Sequence, residues 1–174
     1  SEGMNTLKCH TLAYLASAAA RLGAAETAAE LISHAAKSCV MDNFVTADND
    51  WRDMGVTDNE NWAAYQISGN IALCGAITSL FVYSYQNRIY ILPSEQQFKN
   101  GSIKGILTAC GVEVDIIWDV KKGIKLNLKA KQNCKADIVL PQHCRRIVKG
   151  PVTVMDENKV IKDVELGGGK LVTF

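Results

Sequence analysis

Residues Tyr65 to Tyr85 have the sequence YQISGNIALCGAITSLFVYSY, and this stretch decides the fold of the chain. It opens with a polar turn, Gln66 to Asn70, and the next fifteen residues carry no charged side chain. Apolar residues on nearly every side predict a helix that is buried all round. Because the run is too short to span a bilayer comfortably, we expect a core helix and no membrane-spanning segment.

The segment before this core helix predicts two further helices, Leu7 to Leu22 and Glu26 to Cys39. The short link between them favours an antiparallel helical hairpin. His10 and His34 lie on these helices without a second histidine at the spacing of a metal site, so we expect neither a metal ligand nor a cofactor here.

Residues 40–61 form a long polar segment that we interpret as a solvated loop. Asp48, Asp50 and Asp53 resemble a calcium-binding loop in spacing, but Arg52 stands where such a loop needs an oxygen ligand. A calcium site is therefore the less favoured alternative. Trp51 in this segment and Trp62 directly after it are candidates to contact a ligand or cover an apolar surface.

After the core helix the apolar residues alternate, which predicts a series of short strands separated by turns. The expected strands are Arg88 to Pro93, Ser102 to Cys110, Val112 to Trp118, Gly123 to Lys131, Ala136 to Leu140, Arg145 to Val148, Val152 to Met155, Val160 to Leu166 and Leu171 to Phe174. We therefore expect an α+β fold with about three helices in residues 1–87, packed on an antiparallel β-sandwich in residues 88–174.

Charge is distributed unevenly along the 174 residues. Residues 1–90 carry five basic and nine acidic side chains, whereas residues 91–174 carry fourteen and nine. The lysines of the second half are spaced as exposed strand positions, so we favour solvated strand faces over a nucleic-acid site. The six cysteines lack metal-ligand spacing, which favours free buried thiols and leans towards a reducing compartment. We identify no signal peptide in this chain.

The polar turn YQISGN is the best candidate for a binding site. Gln66, Ser68 and Asn70 open the core helix, where backbone N–H groups can face a ligand oxygen. The alternative is that Ser68 or Asn70 simply caps the helix. No G-x-S-x-G motif surrounds Ser68, which argues against a hydrolase nucleophile.

The chain also resembles glycoside hydrolase family 95, the inverting α-L-fucosidases, some of which prefer α-L-galactosides. That family has H-P-P-F-Q-I-D-G-N-F-G-G, then I-H-L-L-P-A-L-P, then G-S-V-K-G-L-R-A-R-G-G. This chain has WAAYQISGNIAL, then IYILPSEQ, then GSIKGILTACG, and Ala20 to Ala28 is similar to the family's A-R-L-G-D-G-E-R-A. The resemblance covers roughly residues 9–118 and implies the end of an (α/α)₆ barrel joined to a terminal β-domain.

The departures from the family concern catalysis. Ser68 stands where the family has the aspartate that helps to activate water, and Trp62 stands where it has a histidine. The family's general-acid glutamate and its asparagine pair belong to barrel segments that would precede Ser1. Inverting glycosidases need both an acid and a base, so we assign no catalytic residue.

From the resemblance we expect a C-terminal fragment or degenerate relative of a family 95 enzyme without activity on its own. The alternative is a free-standing carbohydrate-binding or protein-interaction module. A fucosylated or galactosylated oligosaccharide would bind at Trp62, Tyr65, Gln66, Ser68 and Asn70. The expected protein partner is a second copy, through the helical half, or an N-terminal barrel domain.

Overall fold

The computed structural model describes residues 7–58, 64–93, 98–142, 144 and 159–173. In these ranges the chain forms helices first and strands afterwards. The helices are α1 (Cys9–Arg21), α2 (Ala25–Ser38) and α3 (Ile67–Ser79). The strands are β1 (Val82–Tyr85), β2 (Arg88–Ile91), β3 (Asn100–Leu107), β4 (Val112–Asp119), β5 (Gly123–Ala130), β6 (Cys134–Val139), β7 (Val160–Leu166) and β8 (Leu171–Thr173).

The helical part folds around α1, which packs against both α2 and α3. α1 and α2 form where the alanine-rich pattern predicts them, and a tight connection at Gly23 (φ 77°) reverses the chain between them. Leu12 and Ala16 of α1 are fully buried in a core shared with Leu31 of α2 and Leu73 of α3. No helix in the described residues is long and apolar enough to cross a membrane.

The third helix differs from the expectation in length and in burial. α3 ends at Ser79, and Val82–Tyr85, which we had included in the helix, is a strand. Only one face of α3 is buried, whereas Ile67 and Ile71 on the opposite face are each 70% exposed. The prediction of a helix buried all round is therefore wrong, because a uniformly apolar sequence does not show which sides have neighbours.

The chain divides into two compact units, Ser1–Leu80 and Phe81–Phe174. The sequence-based division fell after residue 87, and the difference arises because the first strand follows α3 almost at once. All strands therefore belong to the second unit.

The second unit contains two four-stranded sheets, with strand orders β1-β2-β6-β7 and β3-β4-β5-β8. Every pair is antiparallel except β2 with β6, which is parallel. Inward-facing residues of both sheets, such as Ile89 and Ile138 from one and Val114 and Leu128 from the other, form one buried cluster. The expected α+β class is confirmed at this level.

A strand was predicted at every described strand except β1, but the ends of β2, β3 and β6 differ from the prediction by up to three residues. β7 has the predicted bounds, and the two long strands β4 and β5 differ from the prediction by one residue. Lys125 and Lys129 are exposed positions on β5, as the alternation predicted. The strands expected at Arg145 to Val148 and Val152 to Met155 lie outside the described residues.

Candidate functional site

The segment from residue 40 to 58 is not the solvated loop that we expected. It lies against the helices, and Ala47 pairs with Tyr65 in an isolated β-bridge. The Ala47 N–H donates to the Cys39 carbonyl (2.7 Å), and the Gln66 N–H donates to the Thr46 carbonyl (2.8 Å). The expectation was wrong because many polar groups of this segment hydrogen-bond to neighbouring parts of the helical unit, which permits burial, although Asp50 Oδ1 and Trp51 Nε1 are buried without a hydrogen-bond partner among the described residues. The buried polar residues are Thr46, Asn49, Asp50 and Thr57.

Asp48 is the centre of a polar cluster at the start of α1 and α3. Its Oδ2 accepts a hydrogen bond from Lys8 Nζ at 3.0 Å, and its Oδ1 accepts one from Gln66 Nε2. His10 Nδ1 lies 3.2 Å from Gln66 Oε1 and 3.6 Å from Asp48 Oδ1. Because both neighbours are acceptors, Nδ1 carries the proton of a neutral His10 ring. These four residues are called the Asp48 cluster below.

The backbone of Asp48 belongs to the same junction. The Asp48 carbonyl accepts from the Cys9 N–H at 2.9 Å, and the Asp48 N–H donates to the Ala64 carbonyl at 2.8 Å. Cys9 is the first residue of α1, and its N–H has no partner within the helix. Asp48 therefore connects the first turn of α1 to the segment that leads into α3.

Asn70 makes a second connection to the same loop. Its Oδ1 accepts from the Thr46 N–H (2.9 Å) and lies 3.0 Å from the Thr46 hydroxyl, and its Nδ2 donates to the Phe44 carbonyl (2.7 Å). The Thr46 hydroxyl also hydrogen-bonds to the Gln66 carbonyl. Both donor and acceptor groups of the Asn70 amide are used inside the protein.

A layer of thiols and hydroxyls lies beneath this junction. Cys9 and Cys39 are fully buried, and Thr57 Oγ1 lies 3.8 Å from the Cys39 sulfur. The hydrogen bond with the Cys39 side chain, followed by burial, raises the pKa of the Cys9 thiol well above its usual range. A Cβ added at Gly69 would lie 2.7 Å from Thr46 Oγ1 and 3.0 Å from Cys9 Sγ, so this position of α3 has no room for a side chain.

All six cysteines are free thiols; Cys9 and Cys39 are buried as expected, whereas Cys110, Cys134 and Cys144 are partly exposed. The expectation that Cys74 is buried in the core helix is wrong, because Cys74 lies on the exposed face of α3.

The predicted binding residues fall into two groups, those with side chains bound inside the protein and those with side chains exposed to solvent. The amides of Gln66 and Asn70 are held by internal hydrogen bonds, whereas Tyr65 is 71% exposed and Ser68 is also exposed. Trp62 lies outside the described residues. Gln66, not Ser68 or Asn70, is the residue that precedes α3, and it makes no capping side-chain hydrogen bond. The capping alternative is therefore wrong.

The acidic residues of the loop do not gather into a cation site. Asp48 is bound to Lys8, while Asp50 Oδ2 accepts from the Gly55 N–H at 2.7 Å. The described residues contain no group of three or more His, Cys, Asp or Glu side chains that could hold a metal. Trp51 is half-buried, with the Arg52 guanidinium 4.8 Å from its ring centroid.

The sequence analysis missed Asp48 and Thr46 as members of the junction. Asp48 meets Lys8 and Gln66 across 40 and 18 residues of sequence, and His10 meets Gln66 across 56. Such separations leave no local pattern. The one usable signal was the amide pair Gln66 and Asn70, since buried amides require partners.

The Asp48 cluster is poorly suited to proton transfer. Both carboxylate oxygens of Asp48 are engaged, one by an ammonium group and one by an amide. A carboxylate held in this way is a poor candidate for a general base, because both of its oxygens already accept hydrogen bonds from within the protein. The geometry fits a structural junction better than a proton-transfer site.

A scan of the chain against protein-family models finds no match, and a search against curated proteins also finds none.

We predict that Gln66→Ala lowers the free energy of unfolding by about 2 kcal/mol, because it removes a hydrogen bond to the half-buried Asp48 carboxylate. Urea denaturation followed by circular dichroism measures the change. Tyr65→Ala is the matched control, since this neighbouring side chain is 71% exposed and its loss should change stability by less than about 0.5 kcal/mol. Equal stability of the two variants would show that the Asp48 cluster does not stabilise the fold.

Proposed function

We propose that this chain is a C-terminal portion, or a degenerate relative, of a family 95 glycoside hydrolase and does not hydrolyse glycosides on its own. The observation that carries the proposal is how the side chains of the YQISGN turn are bonded and exposed. Its two amides are bound within the protein, and an exposed hydroxyl, Ser68, stands where the family has its catalytic aspartate. A hydroxyl does not replace a carboxylate as a base at neutral pH.

The folds of the two units support the same proposal. α1, α2 and α3 are short helices arranged around α1, as expected for the last helices of an (α/α)₆ barrel. The two sheets of the second unit share one core, as expected for a β-sandwich. We propose both finer assignments as consequences of the resemblance.

We predict no measurable release of sugar from an α-1,2-fucoside or an α-L-galactoside. Loss of a general acid or base costs roughly a hundred- to ten-thousand-fold in rate, and here neither is assigned. Ser68→Asp should not restore activity, because a base without an acid does not complete the inverting mechanism.

Free sugar is measured after long incubation at high protein concentration, with an active inverting fucosidase as the positive control. Steady release above the buffer background, abolished by heat denaturation of the chain, would contradict the proposal.

A second candidate function, protein interaction, is favoured by the exposed face of the helices. Ile67 and Ile71 on α3 and Tyr14 on α1 are each more than 60% exposed, and α3 contains no charged residue. A groove of about 360 Å³ lies on the surface between α1 and α3. It is lined by Tyr14, Ser17, Ala18, Arg21, Ala72 and Gly75. Apolar ridges beside a groove with small side chains allow another helix to approach closely. We propose that a second copy covers this face, with an N-terminal barrel domain as the alternative.

We predict a dimer at micromolar concentration in sedimentation experiments. Ile71→Lys should weaken the dimer at least about tenfold, because it places a charge in an apolar interface. Leu107→Lys is the matched control, since Leu107 is 54% exposed on β3 in the second unit and its replacement should leave association unchanged.

A monomeric wild-type chain that binds no hydrophobic dye would contradict association through this face. A chain that binds the dye and forms species without a defined stoichiometry would favour the barrel-domain alternative over the dimer.

A further inference from the structure

One face of the β1–β2 hairpin carries an unusual concentration of tyrosine. Tyr83 lies opposite Tyr90, and Tyr85 lies opposite Arg88 in the antiparallel register. Directly opposed residues of an antiparallel pair point to the same side, so all four share one face of the sheet. The other face of the hairpin buries Val82, Ile89 and Ile91. The chain contains five tyrosines, and three of them lie here.

The rings at this face are held in defined positions. Tyr83 and Tyr90 are stacked, with ring centroids 4.3 Å apart and an interplanar angle of 6°. Tyr85 is 66% exposed. Stacking fixes two rings relative to the backbone, which reduces the entropy lost when a ligand contacts them.

Two charged side chains lie beside the rings: Arg88 on β2 and Asp137 on the neighbouring strand β6. Arg88 Nε lies 3.3 Å from Asp137 Oδ2. Asp137 Oδ1 accepts from the Asp163 N–H at 3.0 Å, which fixes the carboxylate between β2 and β7. We call Tyr83, Tyr85, Arg88, Tyr90 and Asp137 the tyrosine face.

The outer face of the other sheet provides a contrast. In the β4–β5 pair, Glu113 lies opposite Lys129 and Ile117 lies opposite Lys125. Charged side chains such as Glu113, Lys125 and Lys129 are ordinary for a solvated strand face. Solubility therefore does not explain three tyrosines on the hairpin, since the same chain solvates another sheet with charges.

We propose that the tyrosine face binds a neutral oligosaccharide. The C–H face of a sugar ring would stack on Tyr85, and the sugar hydroxyls would hydrogen-bond to Arg88 and Asp137, which together offer donors and acceptors. The Arg88 and Asp137 charges offset each other, so the face favours a neutral ligand over a phosphate backbone. This site belongs to the second unit and does not depend on the YQISGN turn or on the resemblance to family 95.

The test is titration of the ¹⁵N-labelled full chain with lactose and with 2′-fucosyllactose, followed through backbone amide shifts. We expect saturable shifts at the tyrosine face with at least one of the two sugars. Tyr85→Ala should weaken that binding about tenfold, because it removes the most exposed stacking surface. Arg88→Ala should weaken it by a similar factor.

The control is Tyr14→Ala, which removes a tyrosine that is 63% exposed on α1 and should leave the affinity unchanged. The absence of saturable shifts with both sugars would overturn the proposal, as would equal losses from Tyr85→Ala and Tyr14→Ala. Shifts confined to Tyr65, Ser68 and their neighbours would also overturn it and would instead support the site expected from the resemblance. Release of free sugar during the titration would contradict the proposed absence of hydrolysis. It would not bear on binding at the tyrosine face, which the amide shifts alone decide.

Discussion

The helical unit depends on the hydrogen bonds made by one residue with a half-buried carboxylate, Asp48. Asp48 binds Lys8 and Gln66 through its side chain and Cys9 through its carbonyl group. These contacts join the start of α1, the long loop and the start of α3, which are far apart in sequence. Removal of a single partner would leave a polar group without its hydrogen bond in a place that water reaches poorly, and such groups are costly.

This constraint explains why the turn is a weak candidate for catalysis. The amides that a ligand would need, Gln66 and Asn70, already hold the loop in place. The exposed side chains at the turn, Tyr65 and Ser68, offer a ring and a hydroxyl but no carboxylate.

The two units leave different surfaces for interaction. The exposed face of α3 carries aliphatic side chains, as at Ile67 and Ile71, which suits a protein partner. On the hairpin they are aromatic and lie beside the Arg88–Asp137 pair, which suits a small polar ligand with apolar C–H groups. Binding of a sugar and binding of a second copy would therefore use separate residues and would be separable by mutation.

Much of the fold could be predicted from the sequence, because strand alternation is a local property. β7 was predicted to the residue, and α1 and α2 were predicted to within two residues of each end. The end of α3 was missed, because Val82–Tyr85 continues the apolar composition of the helix. The exposed side of α3 was missed because uniform hydrophobicity carries no directional signal.

The site was harder to predict than the fold. Gln66 and Asn70 were predicted to bind a ligand, whereas the structure shows their amides bound to Asp48 and Thr46, in a loop whose composition suggested solvent exposure. The Tyr83–Tyr90 stack required the hairpin register, which depends on where α3 ends. Because the predicted end of α3 was wrong, the hairpin and its stacked tyrosines were not predicted.

The most direct test of the account is a double-mutant cycle on Asp48→Ala and Gln66→Ala, measured by urea denaturation. If the Asp48 cluster holds the helical unit together, the two substitutions will be coupled by about 1 kcal/mol or more, because each removes the same hydrogen bond. Strictly additive effects would contradict the account, since they would mean that the two side chains stabilise the fold independently.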